Sequence, residues 1–414
     1  MATTEAGNPY RVRMCDRPAK RTVGAMTIHE YLPTDDPHLE AELVARAAAC
    51  GPVLAANAAH HDRHRTFVED SFDALREAGL LKIAVPTELG GDGATIRQIA
   101  MVQRELAKYC GSTALASSMH QHVTAFTAWR YRRDLPGAEG TLRRIADDGI
   151  VVVSTGGGDG TDPVGTARPA PGGYVVSGRK SFVSQAPVGA AIATMFTLDD
   201  PERGRRVLNM SIPLASEGVT IIDNWDTMGM RGTASHDVDL DEVFVPDERV
   251  LADRPHGVLD GPLQVVFSIA MPIISATYLG VAEGACDHAV ERWAVREPDL
   301  SVQRRVGLMR HRLQIAAWAL DGALAAVGDD PTPSMSMLAQ VMTAKREIVS
   351  ATADATDVAL DVAGAAGYRT GSPIERAYRD VRAARFHPFD PETTLLHVGR
   401  LALGLSADRP DEWR

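Results

Sequence analysis

Residues 379–394 read RDVRAARFHPFDPETT. An Arg-Asp pair sits in a helical stretch expected over 373–385, and the prolines at 388 and 391 interrupt the chain before a final helix, expected from about 391 to 405. The short junction carries one histidine, His387, and two carboxylates, Asp390 and Glu392. Pro388 has no side-chain group that accepts a proton, so any acid–base chemistry in this loop falls to its neighbours.

Working outward, three further long helical segments precede this junction, over 263–296, 302–327 and 334–363, and small residues such as Ala270, Ser275, Gly280 and Gly284 fit the first of them for close helix packing and subunit contacts. Before them, 149–250 has the texture of strands: a β-branched run at 150–153, GYVVS at 173–177, apolar stretches at 190–198 and 207–212, and an alternating segment at 237–245 that ends at Pro246. Earlier still, helical periodicity marks 38–58, 67–78, 96–109 and 113–129. The expected organisation is α+β. A flexible N-terminal arm (1–35) leads into an N-terminal helical domain (36–148), a middle β-barrel domain (149–250) and a C-terminal four-helix bundle (251–414).

Composition narrows the function. The 414 residues are 45% apolar and can bury a sizeable core. The net charge of −11 argues against nucleic acid or an anionic membrane as partner. No apolar run reads as the roughly 20 residues needed to cross a bilayer, and the basic N-terminus has no apolar run after it, so a cytoplasmic enzyme is expected. Cys15, Cys50, Cys110 and Cys286 are scattered outside any CxxC or Cys/His cluster, which argues against both a disulfide framework and a metal site.

The order of these blocks and a series of motifs resemble the acyl-CoA dehydrogenase superfamily over about residues 38–404. LREAGLLKIAVPTELGGDGAT (75–95) is similar to its helix end and Gly-Gly loop, VSTGGGDGTD (153–162) to its Leu-Thr-Glu-Pro-Gly-x-Gly-Ser-Asp stretch, and GRKSFVSQA (178–186) to Gly-x-Lys-x-x-Ile-Thr-Asn. MGMRGTASHDVDLDEVFVP (228–246), GAAGY (364–368) and the Arg376, Arg379, Asp380 core follow in order. The resemblance implies a bound flavin, FAD or FMN, with Thr155, Gly156, Phe182 and Ser184 around its ring and with Gln314, Arg304 and Gly364 toward the rest of the cofactor. It also implies a homotetramer of paired dimers. The glycine-rich turn and the hydroxyls of Thr155 and Ser184 suit such a ring, which needs hydrogen-bonding groups along its edge.

The same alignment removes the expected catalytic base. The family's glutamate falls on Pro388 and its alternative position on Ala270. Three functions stay open. In the first, the chain resembles the flavin monooxygenase branch, similar to the dibenzothiophene monooxygenases: reduced flavin from a separate reductase and O2 form a C4a-hydroperoxyflavin, His387 is the catalytic histidine, and His120 and His122 line the substrate cleft. In the second, an acyl-CoA or carrier-protein thioester is dehydrogenated, with Glu392 as relocated base or a base from a partner, and with Thr161 and Arg231 contacting phosphopantetheine. In the third the chain is a scaffold subunit without turnover.

Overall fold

The computed structural model describes residues 36–155, 160–295 and 297–408. The arm expected over 1–35, and residues 156–159 with Gly156 among them, lie outside the described residues. The first helical block holds α1 (Pro37–His64), α2 (Glu69–Glu77), α3 (Ile96–Ala107), α4 (Gly111–Tyr131) and α5 (Ala138–Asp148). Local chemistry starts two of them. Asp36 accepts from the Leu39 amide at 2.9 Å with Pro37 in the first turn, and Thr95 and Gln98 form a reciprocal capping box at 3.2 and 2.9 Å.

The middle block holds β1 (Val151–Ser154), β2 (Thr166–Ala170), β3 (Gly173–Val183), β4 (Gly189–Asp200), β5 (Gly204–Pro213), β6 (Val219–Ile222), β7 (His236–Pro246) and β8 (Val250–Pro255). They form one eight-stranded sheet in the order β6-β7-β3-β2-β4-β5-β8, with β1 parallel to β4. The strand texture expected to end at 250 continues through β8, which pairs with β5. Neither β2 nor β6 was expected as a strand. β2 buries only Ala167 and β6 buries none of its residues, so both lack the apolar alternation that marks a half-buried strand.

The last block holds α6 (Gly261–Glu291), α7 (Leu300–Val327), α8 (Met335–Ala363), α9 (Pro373–Asp380) and α10 (Pro391–Ala402). α6 corrects the reading that no segment has the length and apolarity of a membrane span: it has both, but 94% of its most apolar window is buried inside the fold. It is a core helix. Its small residues set how close it comes to α3, since a Cβ on Gly280 would stand 2.0 Å from the Arg104 carbonyl and one on Gly284 2.5 Å from that of Lys108. The same contact buries a two-pronged ion pair, with Arg104 donating to Glu283 at 3.0 and 2.6 Å. Cys50, Cys110 and Cys286 are free, buried thiols.

Candidate active site

The junction between α9 and α10 is short because each side has its own stop and start. After α9 a 3-10 stretch (Val381–Phe386) runs to His387, whose extended backbone (φ −71°, ψ 150°) is the one a residue before proline prefers. Asp390 then caps α10, accepting from the amides of Glu392 and Thr393 at 2.9 and 3.0 Å. Only Pro388 and Phe389 lie between. Their backbone has neither helix nor sheet to join, and Lys345 of α8 fills that gap: its ammonium donates to the carbonyls of His387 and Phe389, each at 2.6 Å.

The His387 side chain points at α6, with Nε2 2.7 Å from the Tyr278 hydroxyl. Burial, the Lys345 cation and His122 together push its imidazole down to about 3, so it is neutral at physiological pH. His122, on α4, is held down to about 4 chiefly by burial. Its ring bonds the Ser118 carbonyl at 3.1 Å through Nδ1 and reaches Ser154 Oγ, at the end of β1, at 3.4 Å. Burial also lowers Lys345 to about 8, against the pull of Asp390.

The sheet side has hydroxyls instead. Thr155, just past β1, bonds Thr194 of β4 at 2.6 Å. Ser184, just past β3, begins a chain: Ser184 to Ser235 at 2.8 Å, Ser235 to Thr233 at 2.7 Å, and Thr233 donating to the Met230 carbonyl at 2.9 Å. Each hydroxyl has one proton, so when Thr233 spends its own on the carbonyl, Ser235 donates to Thr233 and Ser184 to Ser235. Ser184 then presents lone pairs outward. A register shift late in β3 gives Phe182 a φ of 62°, an outlier for an aromatic residue, and leaves its ring 69% exposed with an edge contact to Trp225.

Known proteins resemble this chain along most of its length. Family models described as acyl-CoA dehydrogenase N-terminal, middle and C-terminal domains match residues 40–132, 154–243 and 272–390. The amino sugar nitrososynthase RubN8 of Streptomyces rubradiris is 32% identical over 86% of this chain and 88% of its own length. The chain belongs to the acyl-CoA dehydrogenase family. It is also 27% identical, over 87% of this chain and 98% of the relative, to the oxygenase subunit HsaA of a flavin-dependent monooxygenase from Rhodococcus jostii. A structure of KijD3 in complex with FMN and dTDP-3-amino-2,3,6-trideoxy-4-keto-3-methyl-D-glucose superimposes with a TM-score of 0.82 at 30% identity, covering 92% of this chain and 97% of that one. The chain is a flavin-dependent oxidoreductase.

The residues fit a flavin. A flat conjugated ring needs an apolar face and hydrogen-bonding groups along one edge, and the exposed Phe182 ring and the buried hydroxyls of Thr155 and Ser184 are groups of those two kinds. Other residues singled out in the sequence lie elsewhere. His120 is fully buried, with Nε2 2.6 Å from the Leu81 carbonyl and Nδ1 accepting from the Val152 amide at 3.2 Å. Arg231 is likewise committed within the fold, donating to the Asp62 carbonyl at 2.8 Å, the Asp226 carboxylate at 2.8 Å and the Thr227 carbonyl at 2.5 Å. Thr161 is half-buried, and its carbonyl accepts from Gly257. Gln314 is half-buried and Arg304 exposed on α7, while Gly364 is exposed at the end of α8 with φ 63°. Glu392 is exposed in the first turn of α10.

Tyr278, Lys345, Ser235 and Thr233 escaped the sequence reading. Tyr278 lies two residues before Gly280, inside the long apolar stretch read as a packing helix, where nothing local marks it out. Lys345 had a usable signal, because it interrupts the buried stripe Leu338, Val341, Met342, Ile348 at helical spacing. A lysine on an apolar stripe calls for a buried partner.

Proposed function

We propose that this chain is a monooxygenase that uses reduced flavin and O2 to oxygenate a small organic substrate, most specifically the nitrogen of an amine. One observation carries the reading: both places where a family dehydrogenase keeps its base hold groups that cannot take a proton, Pro388 and Ala270, and a neutral His387 hydrogen-bonded to Tyr278 stands beside the first. The alternative carboxylate, Glu392, is exposed and compensates the dipole at the start of α10. The amine nitrogen as target is supported by the nitrososynthase relative, and by the KijD3 structure that holds an amino sugar nucleotide.

When bound, reduced flavin supplies the electrons and activates O2. Thr155, Phe182 and Ser184, with Gly156, would hold its ring. The outward lone pairs of Ser184 suit an N–H donor, which the reduced ring has and the oxidised ring lacks at the same edge. His387 and His122, both desolvated and neutral, can bind and orient substrate and hold a proton without a fixed charge in the cleft. FMN is the flavin we favour, because the KijD3 structure contains it. A separate reductase would supply it.

We further propose a cytoplasmic homotetramer. The buried free thiols fit a reducing compartment, and the exposed Leu395, Leu396 and Leu403 on and beside α10 offer an apolar surface for subunit contact. The three blocks along 36–148, 149–250 and 251–414 are the units we take as domains.

The test is to supply purified protein with enzymatically reduced FMN and air, and to screen free and nucleotide-linked primary amines for substrate-dependent O2 uptake and hydroxylamine or nitroso product. Bleaching of bound flavin by an acyl-CoA thioester alone, without a reductase, would overturn the reading.

A further inference from the structure

The loop that carries His387 is held by two residues outside it. Lys345 is buried on α8, and its ammonium reaches one carbonyl on each side of Pro388, at 2.6 Å to His387 and 2.6 Å to Phe389. Two backbone carbonyls that flank a proline and share one cation cannot rotate independently. The direction in which His387 leaves the backbone is thereby fixed. Phe389 adds to this, with its ring edge-on to both Phe267 and His397 at 5.8 and 5.3 Å between centroids.

Tyr278 decides the other half. Its side chain is fully buried in α6, and among the described residues its hydroxyl has one hydrogen-bond partner, His387 Nε2 at 2.7 Å. A buried phenol keeps its proton; here burial and the nearby Asp380 carboxyl raise Tyr278 well above the usual tyrosine range. With a single partner available, that proton is donated to Nε2. A neutral imidazole that accepts at Nε2 must carry its own proton at Nδ1.

We propose that Lys345 and Tyr278 are positioning residues that set His387 as a fixed Nδ1–H donor, Lys345 by clamping the backbone on both sides of Pro388 and Tyr278 by occupying Nε2. This rests on the monooxygenase reading only for what the donor is used for, namely a directed N–H toward the reacting atoms. The geometry of the clamp is independent of the reaction. The positive charge of Lys345 beside the loop also opposes a second proton on the ring.

Histidine-selective isotope labelling of the full chain as purified, with His387 assigned by its loss in His387→Asn, reads the tautomer directly by nuclear magnetic resonance. The expected wild-type signature is a neutral ring protonated at Nδ1 throughout pH 5–8. Tyr278→Phe should move the proton toward Nε2 while the fold is retained. Lys345→Met should raise the ring's titration midpoint and blur the single-tautomer signature, and Lys345→Arg, which keeps donors for both carbonyls, should restore the wild-type signature. In the coupled assay Tyr278→Phe should lower turnover by about ten-fold or more with KM for the amine little changed, as misdirecting a hydrogen-bond donor does. A wild-type ring protonated at Nε2, or a Tyr278→Phe ring unchanged from wild type, would overturn the proposal. The spectra need neither flavin nor substrate, so a protein with the predicted tautomer but no oxygenated product would fail the functional reading and leave this one standing.

Discussion

The sheet side and the helix side of the candidate cleft solve different problems. On the sheet side, Thr155 and Thr194 form one hydroxyl pair and Ser184, Ser235 and Thr233 a hydroxyl chain, without a titratable group among them. On the helix side, His122, His387, Tyr278 and Lys345 are all titratable, and burial shifts every one of them away from its charged form. The chain's committed direction leaves Ser184 as an acceptor, which suits the protonated edge of a reduced cofactor. A desolvated imidazole is instead neutral and directional. On the proposed function the difference separates holding the cofactor from directing an N–H, and it can be tested one side at a time.

Removing His387 should have the largest effect. His387→Ala takes away the loop's directed N–H donor, and coupled product formation should fall about 100-fold or more, the usual weight of a hydrogen-bond donor aimed at developing charge. Oxygen uptake should continue with hydrogen peroxide as its product, measured by peroxidase-coupled detection. Unchanged coupling would move the chemistry away from the helix side altogether.

Acid should weaken the helix side while leaving the hydroxyls untouched. His120 and His122 are held at about 4, below the ordinary histidine value of 6.5. Between those values the unfolded chain binds more protons than the folded one, so stability falls as pH drops through this window and is fully restored above about 6.5. Each histidine should cost roughly 2 kcal/mol between pH 7 and pH 5, at about 1.4 kcal/mol per pKa unit. Urea unfolding at the two pH values measures it, and a flat profile would break the contrast.

A smaller effect belongs to the sheet side. Ser235→Ala removes the acceptor that takes the Ser184 proton and frees that hydroxyl to turn. Reduced FMN should then bind about five-fold more weakly, the worth of roughly 1 kcal/mol for one hydrogen bond, with less change for oxidised FMN. Anaerobic titration of both forms checks it. Equal losses in both would show that the chain has no preferred direction.

How much of this was legible in the sequence follows from the distance over which each contact is made. The helix–sheet–helix order and the loop around His387 were readable, because periodicity and proline act locally. β2 and β6 were not, since neither has a buried alternating face. Within the site, Tyr278 meets His387 across 109 positions and Lys345 meets its carbonyl across 42, and no local pattern records such a meeting. His120 and His122 show the opposite failure. Two positions apart on one helix, they look alike in sequence. Yet His120 spends both nitrogens on backbone groups of Leu81 and Val152, while His122 reaches Ser154 and stands near His387.

Glu392 should give the smallest effect, and the sign of that small effect matters most for the dehydrogenase alternative. The carboxylate lies in the first turn of α10, where Asp390 already caps the backbone amides, so its charge meets the positive end of the helix from an exposed position. Glu392→Gln keeps the shape and removes the charge. The expected cost is about 0.3–1 kcal/mol of stability and less than a two-fold change in coupled oxygenation. A relocated base would behave differently, because the substitution would then remove the only proton acceptor for a thioester α-carbon and abolish turnover with acyl-CoA. Measuring both activities on the same preparation therefore decides whether the loop's carboxylate starts a helix or takes a proton. Loss of an acyl-CoA-dependent flavin reduction in Glu392→Gln would transfer the chemistry from His387 to the end of α10.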